Sequence, residues 1–178
     1  SDYTICNLYY DTPQCDLIRA SIEKPVYKEK LRLRSYGPVT GSDPVYLELK
    51  KKYMGVVYKR RVKLSYAQAL GFMADTPAEL DGPARSQVLD EIAYFKTLYP
   101  LKPTAYIAYE RQAYSGMDDP QLRVTFDRGI RCRVAAHGAG ALCLSAAAEG
   151  SPVLPRGQQV LEIKAPGAMP LWLTCYPD

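Results

Sequence analysis

One histidine, one tryptophan and three phenylalanines are all that this chain has of those types. A lone histidine, His137, excludes a histidine cluster for zinc and a facial iron triad. The five cysteines are Cys6, Cys15, Cys132, Cys143 and Cys175. Their number is odd and no two are spaced as CxxC, which points away from a disulfide framework and from a zinc knuckle. Reduced thiols in a cytoplasmic protein are the plain expectation. No apolar run approaches the roughly 18 residues that would span a bilayer. Residues 1–12 lack the basic-then-apolar order of a signal peptide. There is no GxxxxGK, so no P-loop, and no internal repeat.

What remains is an ordinary globular composition, 47% hydrophobic and 24% charged over 178 residues. That excludes a mainly disordered or collagen-like chain and suits one domain spanning 1–178. Tyrosine is abundant, at 15, and tyrosine favours strands. Lysine and arginine number 23 against 19 acidic residues. A surplus of +4 is too small to predict a polyanionic partner, so the placement of charge carries the information.

The pattern predicts strands over 3–10, 26–36, 45–53, 56–64, 104–114, 121–134 and 160–164. Asp11-Thr12-Pro13 reads as a turn capping a short helix over 14–22. Met54-Gly55 reads as a tight hairpin connection. Ser65 can cap a helix over 66–74, and Asp81-Gly82-Pro83 opens another over 84–98. Residues 135–158 read as a loop or a lid, and Pro170 starts an apolar helix. The expected class is α+β, mainly antiparallel β, with helices packed on the apolar side.

Side chains alternate between the two faces of a strand. In the second strand Lys28, Lys30, Arg32 and Arg34 fall on one face and Leu31 and Leu33 on the other. The third places Glu48, Lys50 and Lys52 opposite Leu47 and Leu49. The fourth places Lys59, Arg61 and Lys63 opposite Val62 and Leu64. Arg111 follows on the fifth strand, Arg123 and Asp127 on the sixth, and Glu162 and Lys164 on the last. An ordinary solvated sheet face would mix Lys with Glu, Thr and Ser. Four successive cations on one face instead repel unless something neutralises them. Two geometries use such a face: an open sheet laid on a nucleic acid, or a barrel with the cations turned inward around phosphates. Glu48, Asp127 and Glu162 oppose nonspecific nucleic-acid binding and suit Mg2+ or Mn2+ instead. Few aromatics accompany the charges, Tyr36, Tyr46 and Tyr109 being the candidates for base stacking. The barrel fits better, and no nucleic-acid partner is expected.

Several stretches, read together, resemble the VTC domain, the polyphosphate polymerase domain of the triphosphate tunnel metalloenzyme superfamily. They include Leu8-Tyr9-Tyr10-Asp11-Thr12-Pro13, Tyr27-Lys28-Glu29-Lys30-Leu31-Arg32-Leu33-Arg34, and Leu47-Glu48-Leu49-Lys50-Lys51-Lys52. Tyr58-Lys59-Arg60-Arg61-Val62, Tyr109-Glu110-Arg111, Leu122-Arg123-Val124-Thr125-Phe126-Asp127 and Val160-Leu161-Glu162-Ile163-Lys164 follow in the family's order. The resemblance implies a closed or partly open antiparallel β-tunnel that holds a triphosphate or polyphosphate chain with Mn2+ or Mg2+. It implies catalytic roles for Arg32, Arg34, Lys59 and Arg111, and phosphate binding by these and by Lys50, Arg123 and Lys164. Strand alternation adds Lys30 and Arg61 to the binding set. The resemblance assigns the metal to Glu162.

The implied reaction is phosphoryl transfer from ATP or another nucleoside triphosphate to polyphosphate, in the cytoplasm. A non-catalytic polyphosphate-binding module and a triphosphatase are the alternatives, and a membrane-protein partner is compatible with either. Family members also carry an extra first strand and a segment beyond the Pro170-Leu171-Trp172-Leu173 helix. The native protein is therefore expected to be longer than this chain.

Overall fold

The computed structural model describes residues 2–76, 86–135, 142–144 and 150–174. The chain runs β1 (Asp2–Asp11), α1 (Asp16–Ile22), β2 (Tyr27–Ser35), β3 (Pro44–Tyr53), β4 (Val56–Ser65), α2 (Tyr66–Met73) and α3 (Gln87–Leu98). It continues through β5 (Lys102–Ser115), β6 (Arg123–Val134), β7 (Ser151–Pro152), β8 (Val160–Lys164) and α4 (Leu171–Thr174). The strands form one eight-stranded sheet in the order β4-β3-β2-β1-β5-β6-β7, with β8 also paired to β6. Every pairing is antiparallel. Among the described residues the outer strands do not pair with each other, so the barrel is partly open.

Local chemistry explains the corners. Met54 and Gly55 both have positive φ, 46° and 85°, which a two-residue hairpin requires to match the twist of its strands. Asp11 closes the entry to α1: its carboxylate accepts from the backbone N–H of Thr12, Leu17 and Ile18. Ser65 and Gln68 form a reciprocal capping box on α2. The α3 helix starts at Gln87 rather than at 84, because Ser86 is extended and caps it through Leu89 N–H. The Asp81-Gly82-Pro83 opening lies outside the described residues, as do His137 and Cys175. The expected 135–158 loop contains β7, which pairs with β6.

One face of the sheet carries the core. Leu8, Leu31, Leu33, Leu47 and Leu49 are wholly buried there against Leu17 of α1, Ala69 and Met73 of α2, and Leu89, Ile92 and Phe95 of α3. Burying each such leucine stabilises the fold by about 1.5–3 kcal/mol. The helices therefore occupy the apolar side and leave the charged face to itself, the arrangement that the alternation predicted. Among the described residues no helix is long and apolar enough to cross a membrane.

Candidate phosphate-binding site

Register turns the alternation into rows. Arg32 of β2 lies opposite Glu48 of β3, which lies opposite Arg61 of β4. Lys30, Lys50 and Lys59 form the next row, and Arg34, Tyr46 and Lys63 the row on the other side. On the far side of β1, Arg111 of β5 faces Asp127 of β6, while Thr125 and Arg123 of β6 face Glu162 and Lys164 of β8. The sheet rolls enough for distant strands to meet electrostatically. Burial lowers the Lys50 pKa, and the charges of Arg32, Lys30 and Lys164 lower it further against the opposing pull of Glu162. Lys164 and Glu162 sit on β8, five strands away along the sheet order from Lys50 on β3.

Glu48 organises one wall. Its side chain is 1% exposed. Arg32 donates from Nε at 2.8 Å and its Nη2 lies at 2.7 Å. Lys59 Nζ lies 3.1 Å and Arg61 Nε 3.6 Å from the other carboxylate oxygen, as ion pairs without good hydrogen-bond alignment. Burial alone would push the Glu48 carboxyl up. The charge and hydrogen bond of Arg32, with Arg34 and Lys59, outweigh that and hold it below its ordinary value. One carboxylate thus serves three cations and leaves a surplus of positive charge.

Arg34 is buried and has no carboxylate within ion-pair distance among the described residues; its Nε donates to Asn7 Oδ1 at 2.9 Å. Asn7 is itself fixed by donating to Ile107 O at 3.2 Å. Arg32 Nη1 donates to Tyr9 Oη at 3.2 Å. Asn7 and Tyr9 lie on the inward positions of β1, and the sequence reading passed over both. The signal was available: Tyr3, Asn7 and Tyr9 alternate onto the same face as the basic rows. Lys30, Lys50 and Arg123 likewise lack an ion-pair partner among the described residues.

The opposite wall is more balanced. Arg111 donates to Asp127 through Nε and Nη2 at 2.6 and 2.7 Å, a two-point contact. That hydrogen bonding raises the Arg111 pKa despite partial burial. Its Nη2 also lies 3.7 Å from Glu162, whose other oxygen is 3.2 Å from Lys164 Nζ. Arg111, Glu162 and Lys164 line a pocket of about 340 Å³ with Tyr3, Tyr114, Arg123 and Thr125. The structure therefore brings together Arg111, Arg123, Lys164 and Glu162 in one pocket. It sets Arg32, Lys59 and Arg61 around Glu48, with Arg34, Lys30 and Lys50 beside them.

Among the described residues no group of three or more acidic, cysteine or histidine side chains could hold a metal by itself. Glu162 is a hard oxygen donor, and opposite it the buried Thr125 Oγ1 has no hydrogen-bond partner among the described residues. Mg2+-like ions bind through one or two carboxylates plus substrate phosphates, so this sparse set fits such an ion when phosphates complete the shell.

The family described as VTC domain matches residues 1–175. The chain belongs to the VTC domain family. That family is part of the triphosphate tunnel metalloenzyme superfamily, whose members bind triphosphate substrates and use divalent metals. No curated protein matches the chain. Among solved structures, it is similar to a Hippeastrum protein named as an adenylyl cyclase and described with a dominant triphosphatase activity. The identity is 16% and the TM-score 0.39, over 75% of this chain and 60% of that one, too distant a likeness to carry a functional reading.

Proposed function

We propose that this VTC domain is a metal-dependent phosphotransferase that extends polyphosphate from ATP or another nucleoside triphosphate. The observation that carries the reading is the inward face itself. Among the described residues Arg34, Lys30, Lys50 and Arg123 have no carboxylate within ion-pair distance, and Lys50 feels Lys164 across the rolled sheet. A chain of phosphates is the counter-charge that this arrangement lacks.

In this reading Lys30, Lys50, Arg61, Arg123 and Lys164 hold the phosphate chain. Arg32, Arg34, Lys59 and Arg111 surround the transferring phosphoryl group and disperse the charge on its equatorial oxygens. A terminal phosphate oxygen of polyphosphate attacks the γ-phosphorus, the bond to the bridging oxygen breaks, and nucleoside diphosphate leaves. Asn7 and Tyr9 keep Arg34 and Arg32 in place without reorganisation during the step. Glu162, with Thr125, would hold Mn2+ or Mg2+, which supplies neutralisation of phosphate charge. A cytoplasmic setting gives such an enzyme its nucleotide donor.

Incubating the full chain with ATP and Mn2+, then assaying free phosphate and long polyphosphate, tests the proposal. Polyphosphate that lengthens with time supports it. Free phosphate without polymer makes the protein a triphosphatase. Tight polyphosphate binding without turnover makes it a binding module.

A further inference from the structure

One end of the charged face carries three tyrosines, on or just beyond three adjacent strands. Tyr46 stands on β3, Tyr36 directly follows β2, and Tyr3 stands on β1. Their ring centroids are 5.8 Å apart for Tyr36–Tyr46 and 6.0 Å apart for Tyr3–Tyr36. Arg61 lies over the Tyr46 ring, with its guanidinium carbon 3.5 Å from the centroid, and reaches the Tyr36 hydroxyl at 3.5 Å. Cross-strand aromatic pairs can serve a sheet alone. These rings, however, share the inward positions of the basic rows, away from the core face where Tyr10, Tyr66 and Tyr106 are buried. Tyr36 remains 51% exposed.

The platform adjoins the phosphate site on two sides. Tyr3 lines the 340 Å³ pocket of Arg111, Arg123, Glu162 and Lys164, and lies opposite Arg111 in the β1–β5 register. Arg34 lies two residues before Tyr36 on the same face, about 7 Å along a strand. A planar base on the tyrosines would thus direct its attached phosphates toward Arg34, Arg61 and Arg111.

We infer that Tyr36, supported by Tyr3 and Tyr46, is the stacking platform for the nucleobase of the incoming nucleoside triphosphate. The inference rests on the proposal that the basic face holds the donor's phosphates. It adds what a phosphate-only site lacks, a surface that distinguishes a nucleotide from inorganic polyphosphate. Every base offers a π-face, so stacking here tolerates any of them. With a single platform, and with Glu48, Asp127 and Glu162 along the face, the site suits one nucleotide rather than a nucleic-acid strand.

The test is calorimetric titration of the full chain with a non-hydrolysable ATP analogue and, separately, with tripolyphosphate, in the same buffer with Mg2+. Tyr36→Ala is expected to weaken binding of the ATP analogue at least about fivefold and to change tripolyphosphate binding less than about twofold. Tyr36→Phe, which keeps the π-face, restores nucleotide binding. If Tyr36→Ala lowers the melting temperature, Tyr36→Leu keeps apolar bulk without the π-face and gives the same comparison. An equal loss for both ligands, or no loss for either, overturns the platform while leaving the phosphate site standing. Failure of the unmodified protein to bind tripolyphosphate overturns the phosphate reading itself.

Discussion

Arg32 and Glu48 face each other across β2 and β3, joined at 2.7 and 2.8 Å around a carboxylate that is 1% exposed. The same carboxylate also stands within 4 Å of Lys59 and Arg61. This buried acid makes a wall of cations tolerable before any phosphate arrives.

Removing that charge should expose how much the wall repels itself. Glu48→Gln keeps the shape and leaves Arg32, Lys59 and Arg61 uncompensated. Breaking a buried pair from one side costs about 3 kcal/mol. Urea denaturation should show a loss of that order. On the proposed function tripolyphosphate binds the folded protein and not the unfolded chain, so it should recover more stability in the variant than in the parent. A variant as stable as the parent would mean that Glu48 does not hold the wall together.

Acid should act through the same group. The Glu48 pKa in the folded protein lies below its ordinary value of 4.5, so the unfolded chain takes up the proton first as pH falls. Its contribution is complete above that value and is lost as the pH drops through the depressed folded pKa. The stability difference between the parent and Glu48→Gln should therefore shrink as pH is lowered below 4.5 in denaturation series at fixed salt. A difference that stays constant or grows would contradict the assigned direction.

Much of this was legible in the sequence, and the reasons differ by element. Period-two alternation was enough to separate Leu31 and Leu33 from Lys30, Arg32 and Arg34, because that strand packs one face on a core. The Met54-Gly55 turn was readable because few residues tolerate positive φ. The sixth strand was read without its irregularity. Gly129, at φ 59°, lies where the β5–β6 register shifts, between the Ala108–Arg131 and Glu110–Arg128 pairs. A bulge reverses the faces beyond it. Asp127, before the bulge, keeps the inward face and meets Arg111, while Arg131 and Arg133, beyond it, fall opposite Ala108 and Tyr106 of the core face. A glycine inside a strand pattern was the only hint.

The pairing of charges was not legible at all. Alternation placed Glu48 among cations but could not say that it would serve three of them, since that depends on register across three strands. Alternation put Asn7 on the inward face, but that it supports Arg34 depends on the β1–β2 register, which the sequence does not give.

Glu162 separates binding from chemistry. As an ion-pair partner of Lys164 and Arg111 it only trims the positive charge of the pocket. As a metal ligand it is needed for turnover. Glu162→Gln should leave polyphosphate bound as tightly as before or more tightly. It should lower metal-dependent turnover at least about tenfold, equivalent to roughly 1.4 kcal/mol at the transition state. A variant that turns over ATP normally across a Mn2+ titration removes Glu162 from the metal site.

In the proposed reading the inward face of this VTC domain holds a phosphate chain, and calorimetric titration of the full chain with tripolyphosphate over a series of salt concentrations tests that most directly. The account predicts binding at low salt that weakens steadily as salt rises, and that weakens at least about tenfold when the buried Arg34 is replaced in Arg34→Gln. A folded protein that gives no binding at low salt, or binds equally well without Arg34, would contradict it.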